Sequence, residues 1–246
     1  MLKLILPVFS KLTVFRSRKF WWHSIIMAAL VSCASPSIDL KDSGKISGNL
    51  MIFWVGEDRF VYYPYNGDPL TYHLPEKLRQ DLSVSTIRPG LHYTDGGSIP
   101  PLVRGLAGLS PWGYGPAYIV HDWLFAAHHC LFTGQPGALD PRDEDEAKTV
   151  SRVTFKQSAD LLAGVISALI KQNVVPKREA APSAIYTAVD SVVAKNLWDK
   201  TDPKSCDPVT KEDLDRIRRS TEKGIASVQV LRPGAVPPLL VFQQRF

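Results

Sequence analysis

The chain has 246 residues, with 29 Lys and Arg against 24 Asp and Glu. The basic excess is local: Lys3, Lys11, Arg16, Arg18 and Lys19 precede the first apolar run, and the rest carries 24 basic and 24 acidic residues. The basic excess is therefore no evidence for nucleic-acid binding, which calls for a basic stripe on the folded domain, and no G-x-G-x-x-G or P-loop pattern marks a nucleotide fold.

The basic start leads into an apolar run from Phe20 to Val31 that ends at "LVSC". A basic region, a short apolar region and small residues at a cut site have the order of a secretory signal. The run is too short for a permanent span, which needs roughly 20 residues. "LVSC" resembles the bacterial lipobox. That resemblance implies cleavage before Cys33, acylation of Cys33 and, with Ala34 next, retention at the periplasmic face of the outer membrane. Residues 1–32 are thus expected to be a signal peptide and 33–45 a lipid-anchored tether, with the membrane as partner through Cys33. Two cysteines are left, Cys130 and Cys206. In an oxidising compartment they can pair. Two free buried thiols fit the sequence equally, because sequence carries no geometry.

From Ile46 the texture is β. "NLMIFWV", "RFVYYPY" and "LTYHL" are rich in aromatic and β-branched residues, and "GED" and "NGDP" break them. "DLSVSTI" alternates and reads as another strand, with "RPG" at Arg88 to Gly90 as a turn. "TDGGSIPP", Thr94 to Pro101, breaks regular structure through paired Gly and paired Pro. "GLSPWGYGP", at 108–116, forms a second loop and opens into an apolar helix, Ala117 to about Leu131.

An acidic cluster in "DPRDEDE" starts the next helix, where negative charge suits the helix dipole. That helix is expected to run to about Gln172, with or without a break. Leu161, Leu162, Val165, Ile166 and Leu169 form its apolar stripe. Pro176 and Pro182 bracket a turn, and "SAIYTAVDSVVAKNLWD" reads as one more helix. "KEDLDRIRRSTEKGI" is mostly charged and reads as a solvated surface helix. The tail "LRPGAVPPLLVF" is extended and suits an edge strand. The expected fold is α+β: a small antiparallel sheet, about 47–95, followed by a bundle of three or four helices. The expected domain covers 46–200, with 201–246 as a C-terminal extension.

Chemistry concentrates in "GPAYIVHDWLFAAHHC", Gly115 to Cys130. Adjacent residues on a helix point about 100° apart. His121 and Asp122 therefore cannot pair face to face, but can serve as a base and a neighbouring ligand. Glycine-rich loops can aim carbonyls at a hard cation, and Asp122 would complete a Ca2+-type oxygen site. Asp95 is either an Asx-turn residue or a further oxygen ligand facing Asp122. His121 then needs an orienting acid from another element. The candidate is Asp160, with Gly164 on the same side to permit close helix approach, although the stripe places Asp160 away from the apolar face. His121 and His128 share a face, but two imidazoles fall short of the three or four ligands zinc needs. His128 and His129 read as a helix end with polar partners.

"YTDGGSIP", "AYIVHDWLF", "SADLLAGVISAL" and "AIYTAV" together resemble the domain family DUF1353, found in phages and bacteria, over about 82–198. The chain departs from that pattern with Gly97 for Ala, Phe125 for Tyr and a long insertion before Ala159–Asp160. A looser likeness joins the His-Asp helix to secreted phospholipase A2. It implies His121 as general base, Asp122 as calcium ligand, Asp160 as orienting acid, and Gly113 and Gly115 in the calcium loop. The sequence thus supports two readings: a metal-assisted ester hydrolase, or a non-catalytic envelope lipoprotein in which the same motifs serve packing.

Overall fold

A strand buried on both faces needs apolar residues at every position, and "NLMIFWV" has them. In the computed structural model this stretch is β2, Asn49–Gly56. Its alternate side chains enter two cores: Leu50 and Ile52 on one side, Met51, Phe53 and Val55 on the other. The structure describes residues 42–56, 59–64, 67–96, 114–132, 139–176, 180–222 and 239–246.

The strands form two small antiparallel sheets. One has the order β1 (Lys45–Ser47), β4 (Thr71–His73), β5 (Thr86–Ile87). The other has the order β6 (His92–Thr94), β3 (Arg59–Tyr62), β2, β7 (Leu239–Arg245). The C-terminal tail is thus an edge strand paired antiparallel to β2. With seven α-helices among the described residues, the fold is α+β.

"DLSVSTI" is not one strand. Its first residues, Asp81 and Leu82, end helix α1 (Glu76–Leu82), and only Thr86–Ile87 is strand. The helix formers of "EKLRQDL" outweigh the short alternation after them. Ser83 stops the helix in the left-handed conformation, at φ 56°.

Helix α2 (Gly115–Phe132) is the central element and packs on β6, α3, α4 and α6. Twelve of its residues are buried, spread around its circumference. That is why its sequence is apolar nearly all round. The helix expected to reach Gln172 is two, α3 (Pro141–Val150) and α4 (Phe155–Lys171), bent by 105°. The break is encoded locally. Asp140 caps α3 before Pro141, and Thr154 with Gln157 forms a capping box that restarts the chain as α4. All five stripe residues of α4 are fully buried.

Pro182 lies inside helix α5 (Ala180–Val189), not in a turn before it. It is the third helical residue, where its missing N–H costs no intrahelical bond. The expected single helix through "NLWD" is also two. Ser191 accepts from the Ala194 N–H and opens α6 (Val192–Trp198). A 3-10 turn, Pro203–Ser205, and helix α7 (Lys211–Glu222) follow. α7 is more than a solvated helix: Ile217 is fully buried with Met51, Phe53 and Val61 against the outer face of the β2 sheet. Cys130 and Cys206 are joined as a disulfide, across 76 residues of sequence.

Gly164 was expected to let a helix approach. It instead admits an aromatic ring from the sheet: a Cβ there would lie 2.4 Å from Tyr72 Oη. That hydroxyl donates to the Ser43 carbonyl at 3.1 Å in the core. Gly164→Ala should therefore lower stability by about 1–3 kcal/mol through overpacking. Tyr72→Phe in the same chain should recover part of the loss, read from urea midpoints. Equal stability of Gly164→Ala and wild type would refute the contact.

Candidate functional site

Period-two alternation turns His92 and Thr94 of β6 inward and leaves Asp95 exposed. Thr94 meets the His-Asp helix: its hydroxyl donates to Asp122 Oδ2 at 2.6 Å. The Gly96 N–H donates in turn to Thr94 Oγ1 at 3.0 Å. The Thr-Asp and His-Asp motifs are therefore in contact, through a residue that sequence reasoning passed over. The available signal was the inward pair His92 and Thr94 on one strand face.

His121 is buried at 9% exposure, its ring 4.9 Å from that of Phe125. Its Nδ1 lies 3.9 Å from Asp122 Oδ1, beyond hydrogen-bond length. Its Nε2 has no hydrogen-bond partner among the described residues.

Asp160 is elsewhere engaged. Its Oδ1 accepts from the Tyr186 hydroxyl at 3.0 Å and lies 3.4 Å from Lys156 Nζ. Lys156 also reaches Asp190, at 3.4 Å, and sits 4.5 Å above the Tyr186 ring. No hydrogen bond or ion pair joins His121 to Asp160 among the described residues, so the expected orienting contact is not formed. The Ala-Asp and Tyr motifs instead meet each other, tying α4 to α5.

Around Asp122 lie further buried polar groups. His92 Nδ1 is 2.8 Å from the Gly90 carbonyl, which can only accept, so that nitrogen carries the proton. Burial pushes the His92 pKa down, although the Gly90 carbonyl and Asp122 pull the other way. Burial pushes Tyr118 up, with Tyr114 and Asp122 adding to it. The His92 Nε2 and Tyr118 hydroxyl are buried without partners among the described residues.

The acidic cluster of α3 has a use beyond the helix dipole. Asp143 accepts the Leu91 N–H and Glu146 the Arg88 N–H, each at 2.8 Å. They hold the segment that delivers β6. Gly90 lies between them, because a Cβ there would meet Asp143 at 2.5 Å and Trp123 at 2.7 Å.

At the far end of α2, His129 Nε2 donates to the Leu197 and Trp198 carbonyls, at 3.0 and 3.2 Å. His128 stacks on Trp198 with centroids 4.0 Å apart. No group of three or more His, Cys, Asp or Glu able to hold a metal occurs among the described residues. Gly113, expected in a calcium loop, lies outside the described residues, and Gly115 is the first residue of α2. No family model, curated protein or solved structure matches the chain.

Two predictions follow from this geometry. Thr94→Val and Asp122→Ala should be coupled by about 1.5–3 kcal/mol, the usual worth of a hydrogen bond to a charged group. His121→Ala and Asp160→Ala, which share no partner, should add within about 0.5 kcal/mol. Double-mutant cycles in urea check both. The second concerns pH. Burial raises the Asp143 pKa above its ordinary 3.8. The folded chain thus keeps a proton that the unfolded chain has lost, and this group's contribution to stability falls as pH rises from the ordinary value through the raised one. Asp143→Asn should remove that decline while keeping an acceptor for Leu91. Parallel stability–pH curves for the two proteins would refute it.

Proposed function

We propose that the chain is a lipid-anchored protein of the bacterial cell envelope, held through acylated Cys33 at the periplasmic face of the outer membrane. Its DUF1353-like domain acts by binding or scaffolding, not by catalysis. The observation that carries the non-catalytic part is the pairing of Asp160 with Tyr186 and Lys156, so that among the described residues no second helix gives His121 an orienting acid. The "LVSC" boundary and the basic, apolar order before it support the anchor. A disulfide between Cys130 and Cys206 suits an oxidising compartment.

The other reading is a calcium-assisted ester hydrolase of the phospholipase type, with His121 as base and Asp122 as ligand. One observation favours it: His121 Nε2 lacks a hydrogen-bond partner among the described residues, as a base awaiting water would.

The test uses the full chain made in a bacterium fed labelled palmitate. Label should enter the protein and disappear in Cys33→Ala, and the labelled protein should fractionate with the outer membrane. The acylated protein, mixed with phospholipid vesicles with and without calcium, should release no more fatty acid than His121→Ala. Calcium-dependent release that vanishes in His121→Ala would establish the hydrolase instead. Unlabelled protein would remove the anchor.

A further inference from the structure

The three-stranded sheet has a buried face and an open one. Ile46, Tyr72 and Ile87, one from each strand, are fully buried on the inner face. Alternation turns Lys45 and Ser47 of β1, His73 of β4 and Thr86 of β5 the other way. Register makes them neighbours: Lys45 is paired with His73, and His73 with Thr86. Arg88 follows Thr86 by two residues, and its charge acts on His73, as does that of Lys45. Lys45, His73 and Arg88 are all exposed.

This face gathers cations, hydroxyls and one imidazole. Ser47 Oγ and His73 Nε2 are 2.8 Å apart. Among the described residues neither Lys45 nor Arg88 forms an ion pair. The carboxylate that comes to this edge, Glu146 of α3, is turned to the Arg88 backbone N–H at 2.8 Å. Burial lowers the His73 pKa, and Lys45 and Arg88 lower it further. Two like charges on one face raise each other's free energy, and an anion placed between them removes that cost.

We propose that this face binds a phosphate monoester, with Lys45 and Arg88 meeting its charge and Ser47, His73 and Thr86 supplying hydrogen bonds between them. Charge is the first argument. A monoester carries close to two negative charges at neutral pH, and the face offers two cations not spent on an ion pair. Reach is the second. Lys45 and Arg88 are two strand spacings apart across the sheet and two residues apart along it, about 12 Å between Cα atoms. Both are long enough to converge over the Ser47–His73 pair. Shape is the third. A carboxylate is planar, carries one charge and is satisfied by a single guanidinium fork. A tetrahedral phosphate takes donors from several directions, and here they come from three strands. The site goes beyond the anchored reading and stands whether or not Cys33 carries lipid.

The experiment titrates the full chain, held in neutral detergent micelles near neutral pH and at constant ionic strength, with glycerol phosphate. The imidazole proton resonances of His73, assigned by their loss in His73→Gln, report binding. They should shift and saturate, while acetate at the same concentrations leaves them almost in place. In Lys45→Gln combined with Arg88→Gln the dissociation constant should rise about tenfold, as two exposed charge contacts are lost. Lys211→Gln combined with Arg219→Gln, on α7, changes the net charge equally and should leave the constant unchanged. Micelles doped with phosphatidic acid present the same group on a lipid. Saturable binding by the soluble ester, by the lipid or by both, weakened with Lys45 and Arg88, supports the site and identifies the source of its phosphate. Absence of a saturable shift with either probe would overturn the proposal. Equal binding of acetate, or equal weakening in the α7 pair, would overturn it too.

Discussion

A carboxylate on a helix buried around most of its circumference must find its donors inside the protein. Asp122 finds Thr94, and much else depends on that bond. It fixes β6 against α2, and β6 is the edge of the four-stranded sheet. The segment before β6 is held by Asp143 and Glu146, whose oxygens accept its backbone N–H groups. Three acidic side chains on two helices thus set the path of one short strand. Two of them accept backbone N–H groups just before the strand, and the third accepts the hydroxyl of its last residue.

Among the described residues, the polar motifs of the sequence separate in space into two hydrogen-bonded pairs. Thr94 meets Asp122, and Asp160 meets Tyr186. Each pair joins a helix to the next element. A hydroxyl on a carboxylate is directional, so each bond selects one register of packing between apolar surfaces that alone would tolerate sliding.

Much of the fold could be read in the chain because burial leaves a pattern. The aromatic and β-branched runs gave β2, β3 and β4, the stripe from Leu161 to Leu169 gave α4, and "LLVF" gave the edge strand. Periodicity reports which face is buried, however, and not what lies on that face. Asp160 was correctly placed off the apolar stripe, but its partner on α5 is a long-range fact. Gly164 signalled a close approach, and only the packing could identify Tyr72 as what approaches. Charge density masked Ile217 and the buried Asp213 on α7, because one inward residue per turn suffices for a helix laid on a sheet. His92 and Thr94 went unnoticed because β6 has three residues, too few for alternation to stand out. The Cys130–Cys206 pairing stayed open for the same reason as Asp160: it depends on distance.

The position of Phe125 joins the two ends of α2. Its ring contacts His121 at 4.9 Å, Trp198 at 4.9 Å and His129 at 6.0 Å. The row continues through His128 to Phe132. A seven-residue helix such as α6 has no stability of its own, because nucleation costs more than so few bonds return. Here it is braced by the Ser191 cap, by His129 on its last carbonyls, by the aromatic row against Trp198 and by the disulfide just beyond it. The exposed valines of α6 therefore sit on a helix braced by contacts at both ends. Holding apolar side chains rigidly in water costs solubility, and that cost is offset only where something apolar covers them.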